Sequence, residues 1–154
     1  MRDILGYSGR TVVVSGAATG MGAAVARTLV DLGAEVHALD VKPVTAPVAQ
    51  ATVVDLRERA SIDAAVAKLP AHVDRLFNCA GLPGPPFSNL DTTLVNFVGL
   101  RHLTEAVLPR IPSGGAVASI TSVAGMGWQK NLDSVKALCA TADFDAGKAW
   151  LEAN

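Results

Sequence analysis

Ser15-Gly16-Ala17-Ala18-Thr19-Gly20-Met21-Gly22 joins a β-branched run, Thr11-Val12-Val13-Val14, to a helix-length segment at residues 20–32. Its glycines fall at relative positions one, five and seven, which is not the Gly-x-Gly-x-x-Gly spacing of the older dinucleotide fingerprint. The physical requirements are the same. A tight turn, a backbone without Cβ where a pyrophosphate approaches, and close packing of helix on strand all favour glycine there. Backbone N–H groups at the helix N-terminus, with the Thr19 hydroxyl, would face the phosphates. A strand-to-helix turn that binds nothing also uses glycine. Asp40 weighs against that plainer reading, because it ends the second strand 18 residues beyond Gly22. In a dinucleotide fold that strand end lies beside the adenosine ribose, where a carboxylate accepts from the hydroxyls and repels a 2′-phosphate. NAD is therefore expected rather than NADP, although Lys42 lies nearby.

Outward from this loop, apolar runs recur at residues 11–15, 35–40, 51–54, 75–78 and 116–121, short and not strictly alternating, as strands buried on both faces read. Helix-length segments at 20–32, 57–69 and 91–110 separate them, the last carrying Leu94, Val98, Leu103 and Val107 at four- and five-residue spacing. The alternation predicts a doubly wound, Rossmann-type parallel sheet with right-handed crossovers. Residues 41–50 hold Pro43 and Pro47 and are too short for a crossover helix, so a loop is expected. Residues 82–88, with Pro83, Pro85 and Pro86, form a loop at the carboxyl end of the sheet, where ligands of open α/β sheets bind.

The chain has 154 residues, half of them apolar, enough for one core. Thirteen basic residues against fourteen acidic give a net charge of -1, with no basic run to neutralise a phosphate backbone, so nucleic acid is not an expected partner. Mean hydropathy is +0.35, yet polar residues, glycine or proline interrupt every apolar stretch, and no membrane span is expected. The first residues carry no export signal, which points to the cytoplasm. Cys79 and Cys139 lack redox or zinc spacing and are expected as reduced thiols, with no metal site.

With these motifs in hand, the sequence resembles the short-chain dehydrogenase/reductase family. Its Thr-Gly-x-x-x-Gly-x-Gly loop matches residues 15–22 with Ser15 in place of Thr. Asp55-Leu56 is similar to the family's adenine-binding pair, and Asn78-Cys79-Ala80-Gly81 to its Asn-Asn-Ala-Gly. Asn96 matches the helix asparagine that helps hold a relay water, and Ser122 the catalytic serine. The resemblance spans residues 9 to 127 and looks most like bacterial 3α-hydroxysteroid dehydrogenases. Each match has a plainer alternative. Asp55 could cap the following helix, Asn96 could bond a neighbouring backbone group, and Ser122 could be a turn serine.

The resemblance implies hydride transfer between nicotinamide and a secondary alcohol or ketone, a hydroxysteroid being one candidate. Ser122 and Asn96 are the catalytic candidates. Gly16, Thr19, Gly20, Met21, Gly22, Asp40, Asp55, Leu56, Asn78, Ala80 and Gly81 are the cofactor-binding ones. Family members use a Tyr/Lys pair for proton transfer, but Tyr7 is the only tyrosine, so no Tyr-x-x-x-Lys follows Ser122. Residues 1–127 are thus expected as an incomplete dinucleotide-binding domain, truncated after the fifth strand. Residues 128–154 would be one or two amphipathic helices of an insertion that precedes the missing pair. Such a fragment should be inactive, expose its fifth strand and one face of the 91–110 helix, and self-associate. A homo-oligomer is expected. The alternative is a nucleotide-binding or interaction module without turnover.

Overall fold

A computed structural model describes residues 3–154. β1 (Thr11–Ser15), β2 (Glu35–Asp40), β3 (Gln50–Val53), β4 (Arg75–Asn78) and β5 (Ala116–Ser119) form one sheet in the order β3-β2-β1-β4-β5, with every pair parallel. The strand order reverses between β1 and β4, which opens a crevice at their carboxyl ends. Register sets Ser15 opposite both Leu39 and Asn78, and Asn78 opposite Ser119, so these strand ends lie level.

The β-branched residues of β1 pack on both faces of the sheet. Val13 joins a core with Leu39, Ile62, Leu76 and Leu103, while Val12 and Val14 join Ala26, Leu29 and Val36 on the opposite side. Helix α1 (Gly20–Asp31) covers the second face, and α2 (Arg59–Val66) lies over the first. The sheet is thus a Rossmann-like layer wound on both sides, with loops at 41–49 and 82–88 as the prolines require.

Three expectations are corrected. The helix read across residues 91–110 is not uniform. It consists of α3 (Asn89–Thr93), a π-helical stretch Leu94–Gly99, α4 (Leu100–Val107) and a closing 3₁₀ turn Leu108–Arg110. Gly99 in that stretch passes against the Leu56 carbonyl, an approach a Cβ would block. Nor does this helix leave an apolar face uncovered. Leu94, Val95, Val98, Leu103 and Val107 are buried, because the tail folds back as α5 (Leu132–Cys139) and α6 (Phe144–Ala153) and seats Phe144 in the same core. Gly147 lets α6 approach closely, since a Cβ there would stand 3.2 Å from both Val98 methyls.

Finally, β5 is not buried on both faces as its apolar run reads; all four of its residues are exposed, in line with the expectation that the last strand lies uncovered. Among the described residues nothing packs over it, because α6 packs on α3 and the π-helical stretch, with Phe144 against His102 of α4, and the 3₁₀ stretch Val123–Asn131 packs on α5. Strand ends differ from expectation by one or two residues, and α2 is shorter than the predicted 57–69, since Arg57 and Glu58 precede its first turn.

Candidate functional site

A cleft of about 400 Å³ opens at the carboxyl ends of β1, β2, β3 and β4. Gly16, Thr19, Gly20, Met21, Gly22, Asp40, Asp55, Leu56, Ala80 and Gly81, all singled out from sequence, line it together. Gly16 has φ +71°, and a Cβ there would stand 2.5 Å from the Ala80 backbone nitrogen, so only glycine lets the β1 loop pass the β4 loop. By contrast, nothing lies within 4 Å of the point where a Gly20 Cβ would sit. Helix α1 begins there with no side-chain cap and no acidic residue in its first turn. The loop is crowded on its sheet side and open on its cleft side, with the positive end of a helix dipole facing the opening. This is the cradle a pyrophosphate fits.

Asp40 ends β2 with both oxygens engaged. Oδ2 accepts from the Ala18 N–H at 2.8 Å and Oδ1 from the Lys42 N–H at 2.8 Å. The carboxylate therefore ties the glycine loop to the end of β2, and each oxygen keeps a lone pair for a further donor. Asp55, on the loop after β3, accepts from the Arg57 N–H at 2.9 Å and from the Arg57 guanidinium at 2.7 and 3.0 Å. Those bonds hold its carboxyl below the usual carboxylate range, against the opposing effect of burial. Cys79 lines the cleft as a free thiol whose pKa burial pushes up, so it is protonated near neutrality.

The remaining three candidates lie off the cleft wall. Asn78 is buried beneath it and donates to Thr104 Oγ1 at 3.0 Å and Ser119 Oγ at 3.2 Å, clamping β4 to α4 and β5. Asn96 sits in the π-helical stretch and meets the Leu82 backbone twice, accepting from its N–H at 2.8 Å and donating to its carbonyl at 2.9 Å. It thereby fixes the loop after Gly81, and Leu82 itself lines the cleft. Ser122 stands exposed at the end of the β5 segment, where its Oγ accepts from the Ala124 N–H at 3.1 Å and keeps its own proton free to donate.

Arg57, Val41 and Phe87 also line the cleft, and none carries a motif that marks it in the sequence. The only available signal for Arg57 is a cation two residues beyond a candidate carboxylate.

Comparison with known proteins agrees with this geometry. The family profile described as short chain dehydrogenase matches residues 10–133. A coniferyl-alcohol dehydrogenase from a Pseudomonas strain is 38% identical over 145 residues, covering 94% of this chain and 56% of that protein. A 3-alpha-hydroxysteroid dehydrogenase/carbonyl reductase from Comamonas testosteroni is 34% identical over 110 residues, covering 71% of this chain and 42% of that protein. The chain thus spans about half the length of the curated relatives it matches. In fold it is similar to the aldohexose dehydrogenase of Thermoplasma acidophilum (TM-score 0.68, 19% identity, covering 96% of this chain and 58% of that one). A mutant short-chain dehydrogenase/reductase from Serratia marcescens gives a TM-score of 0.67 at 22% identity, covering 77% and 58%. With its glycine loop, its switch-point cleft and this match over most of its length, the chain belongs to the short-chain dehydrogenase family.

Proposed function

We propose that this chain is the nucleotide-binding portion of an NAD(H)-dependent oxidoreductase that interconverts an alcohol and its carbonyl compound. The observation that carries the cofactor preference is Asp40. Its carboxylate lines the cleft at the end of β2 and is fixed by the Ala18 and Lys42 N–H groups. A fixed negative charge there accepts ribose hydroxyls and repels a 2′-phosphate. Bound nicotinamide dinucleotide would supply the hydride acceptor or donor. The amides that open α1 would hold the pyrophosphate, Asp55 the adenine amino group, and Ala80 and Gly81 the wall beside the nicotinamide half.

On this reading Asn96 acts by holding Leu82, and Ser122 orients the substrate oxygen with its free hydroxyl proton. A proton-transferring Tyr/Lys pair would lie beyond residue 154. The names of the relatives favour a substrate built on a ring, such as an aryl-allylic alcohol or a hydroxysteroid. A cytoplasmic homo-oligomer is part of the same proposal. Among the described residues no helix is long and apolar enough to cross a membrane.

Calorimetric titration of the protein with NADH and NADPH tests the reading. NADH should bind at least about tenfold more tightly, and Asp40→Ala should narrow that gap to within about threefold, since charge repulsion of this size is worth only a few kcal/mol near a surface. Equal or tighter NADPH binding by the wild type would refute it.

A further inference from the structure

We propose that Arg57 sets the base selectivity of the cleft: it occupies all but one of the acceptor positions of Asp55 and leaves a single one for the exocyclic amino group of an aminopurine. This inference rests on the cofactor reading above and adds to it a residue that decides which base is accepted.

An ionised carboxylate offers about four lone-pair sites. Asp55 Oδ1 accepts from the Arg57 main-chain N–H at 2.9 Å and from its Nε at 3.0 Å. Oδ2 accepts from the terminal guanidinium nitrogen at 2.7 Å, with the same Nε shared at 3.3 Å. Three sites are filled and one remains, on Oδ2. The Asp55 side chain is 27% exposed, and it lines the cleft, so that site is within reach of a ligand.

The arrangement is held from both sides. Ser61 Oγ accepts from the Asp55 main-chain N–H at 2.9 Å. The far end of the guanidinium donates to Asp91 Oδ1 at 3.3 Å, and Asp91 in turn accepts from Ser88 Oγ at 2.8 Å. Asp91 belongs to α3, the helix that leads into the Asn96 segment, so Arg57 bridges the two sides of this end of the cleft.

The chemical consequence is selectivity. The Asp55 carboxyl, held below the usual carboxylate range by the guanidinium, is ionised and hence an acceptor only. A base that presents an amino group makes a charge-assisted hydrogen bond, a base that presents hydrogen leaves the site unpaired, and one that presents a carbonyl meets repulsion. Without the fork the carboxylate would turn freely and carry several open sites, and the bond to the amino group would lose its fixed geometry. Lysine cannot substitute, because a point charge does not grip two oxygens in one plane.

A role confined to holding the loop predicts that loss of Arg57 weakens every nucleotide equally. Selectivity predicts that a ratio changes. The test is displacement of NADH from the protein, followed by fluorescence, with AMP and with purine riboside 5′-monophosphate, which differs from AMP only in lacking the 6-amino group. Wild type should prefer AMP about tenfold, the size expected for one hydrogen bond to a charged acceptor. Arg57→Ala should reduce the preference to within about twofold to threefold, and Arg57→Lys should reduce it as well; should the alanine variant not fold, the lysine variant reads the same ratio. An unchanged ratio in a variant that still binds NADH, or no AMP preference in a wild type that binds NADH, overturns this inference alone. Failure of wild type to bind NADH removes the cofactor reading itself, and the inference with it.

Discussion

Asp74 illustrates how much one buried carboxylate fixes at the end of the sheet opposite the cleft. It is 6% exposed and accepts from the Thr11 N–H at 2.9 Å and from Arg10 at 2.9 Å, with His72 Nε2 at 3.4 Å. Burial alone would push its carboxyl up, but the Thr11 N–H, Arg10 and His72 outweigh that and hold it below the ordinary carboxylate value. A depressed folded pKa means a contribution to stability that is present above the unfolded value, about 3.9, and is lost as pH falls through the folded one. Asp74→Asn should therefore cost about 1–3 kcal/mol at pH 7, and the difference from wild type should shrink as the pH drops below about 4. Urea unfolding at several pH values measures this; a difference that stays constant down to pH 2 would show that the charge is not what matters. Residues of this kind are only partly legible in sequence. Asp40 and Asp55 stand out because a strand end and a following loop give a carboxylate a defined place. Asn96 follows the plainer of its two readings, a bond to a backbone group, and that group belongs to the loop that walls the cleft. Arg57 is not legible, because its value lies in a fork geometry that no spacing encodes.

At the scale of elements, period and punctuation are the readable signals, and they place all five strands within two residues. What they miss depends on contacts between distant parts of the chain. The π-helical stretch at Leu94–Gly99 coincides with the passage of Gly99 against Leu56, 43 residues earlier in sequence, and apolar spacing within one helix carries no trace of that. The docking of α6 is similar. Phe144 is 3% exposed and meets the His102 ring edge-on at 5.7 Å between centroids, so it anchors the tail to the helix that carries Asn96. Phe144→Ala should lower stability by about 3–5 kcal/mol, as expected for emptying an aromatic site in a packed core. Limited proteolysis should then cut within residues 132–154 before the sheet is attacked, because α6 is held by few other buried side chains. Cleavage that begins instead in the β1–α1 region would mean that Phe144 supports the whole core and not the tail alone.

For the molecule as a whole, the decisive feature is the uncovered side of β5. Val117, Ile120, Val123, Met126 and Trp128 are all more than a third exposed, beside a strand whose outer edge has no partner among the described residues. Ser122 stands in this same region, away from the cleft that gathers the nucleotide-binding candidates. A serine hydroxyl can orient a substrate oxygen, but it cannot serve as the acid/base of an alcohol oxidation near neutrality, and Tyr7 packs its ring against Phe77 and does not line the cleft. Nucleotide binding and turnover should therefore separate. Residues 1–154 alone should self-associate through the exposed strand edge, and dehydrogenate no member of a panel of aryl-allylic alcohols and hydroxysteroids. A protein extended to supply the proton-transferring pair should be active, and Ser122→Ala within it should lower kcat by about 10²–10³, the loss typical of one positioned hydrogen-bond donor at a reacting oxygen. Its affinity for NADH should change little, since Ser122 does not line the cleft. The measurements are NADH production by both lengths of chain, intact mass to exclude contaminating longer protein, and sedimentation velocity for the association. Turnover by residues 1–154 at a rate near that of the extended protein would mean that this chain carries its own acid/base group, and the division of labour between cleft and β5 would have to be abandoned.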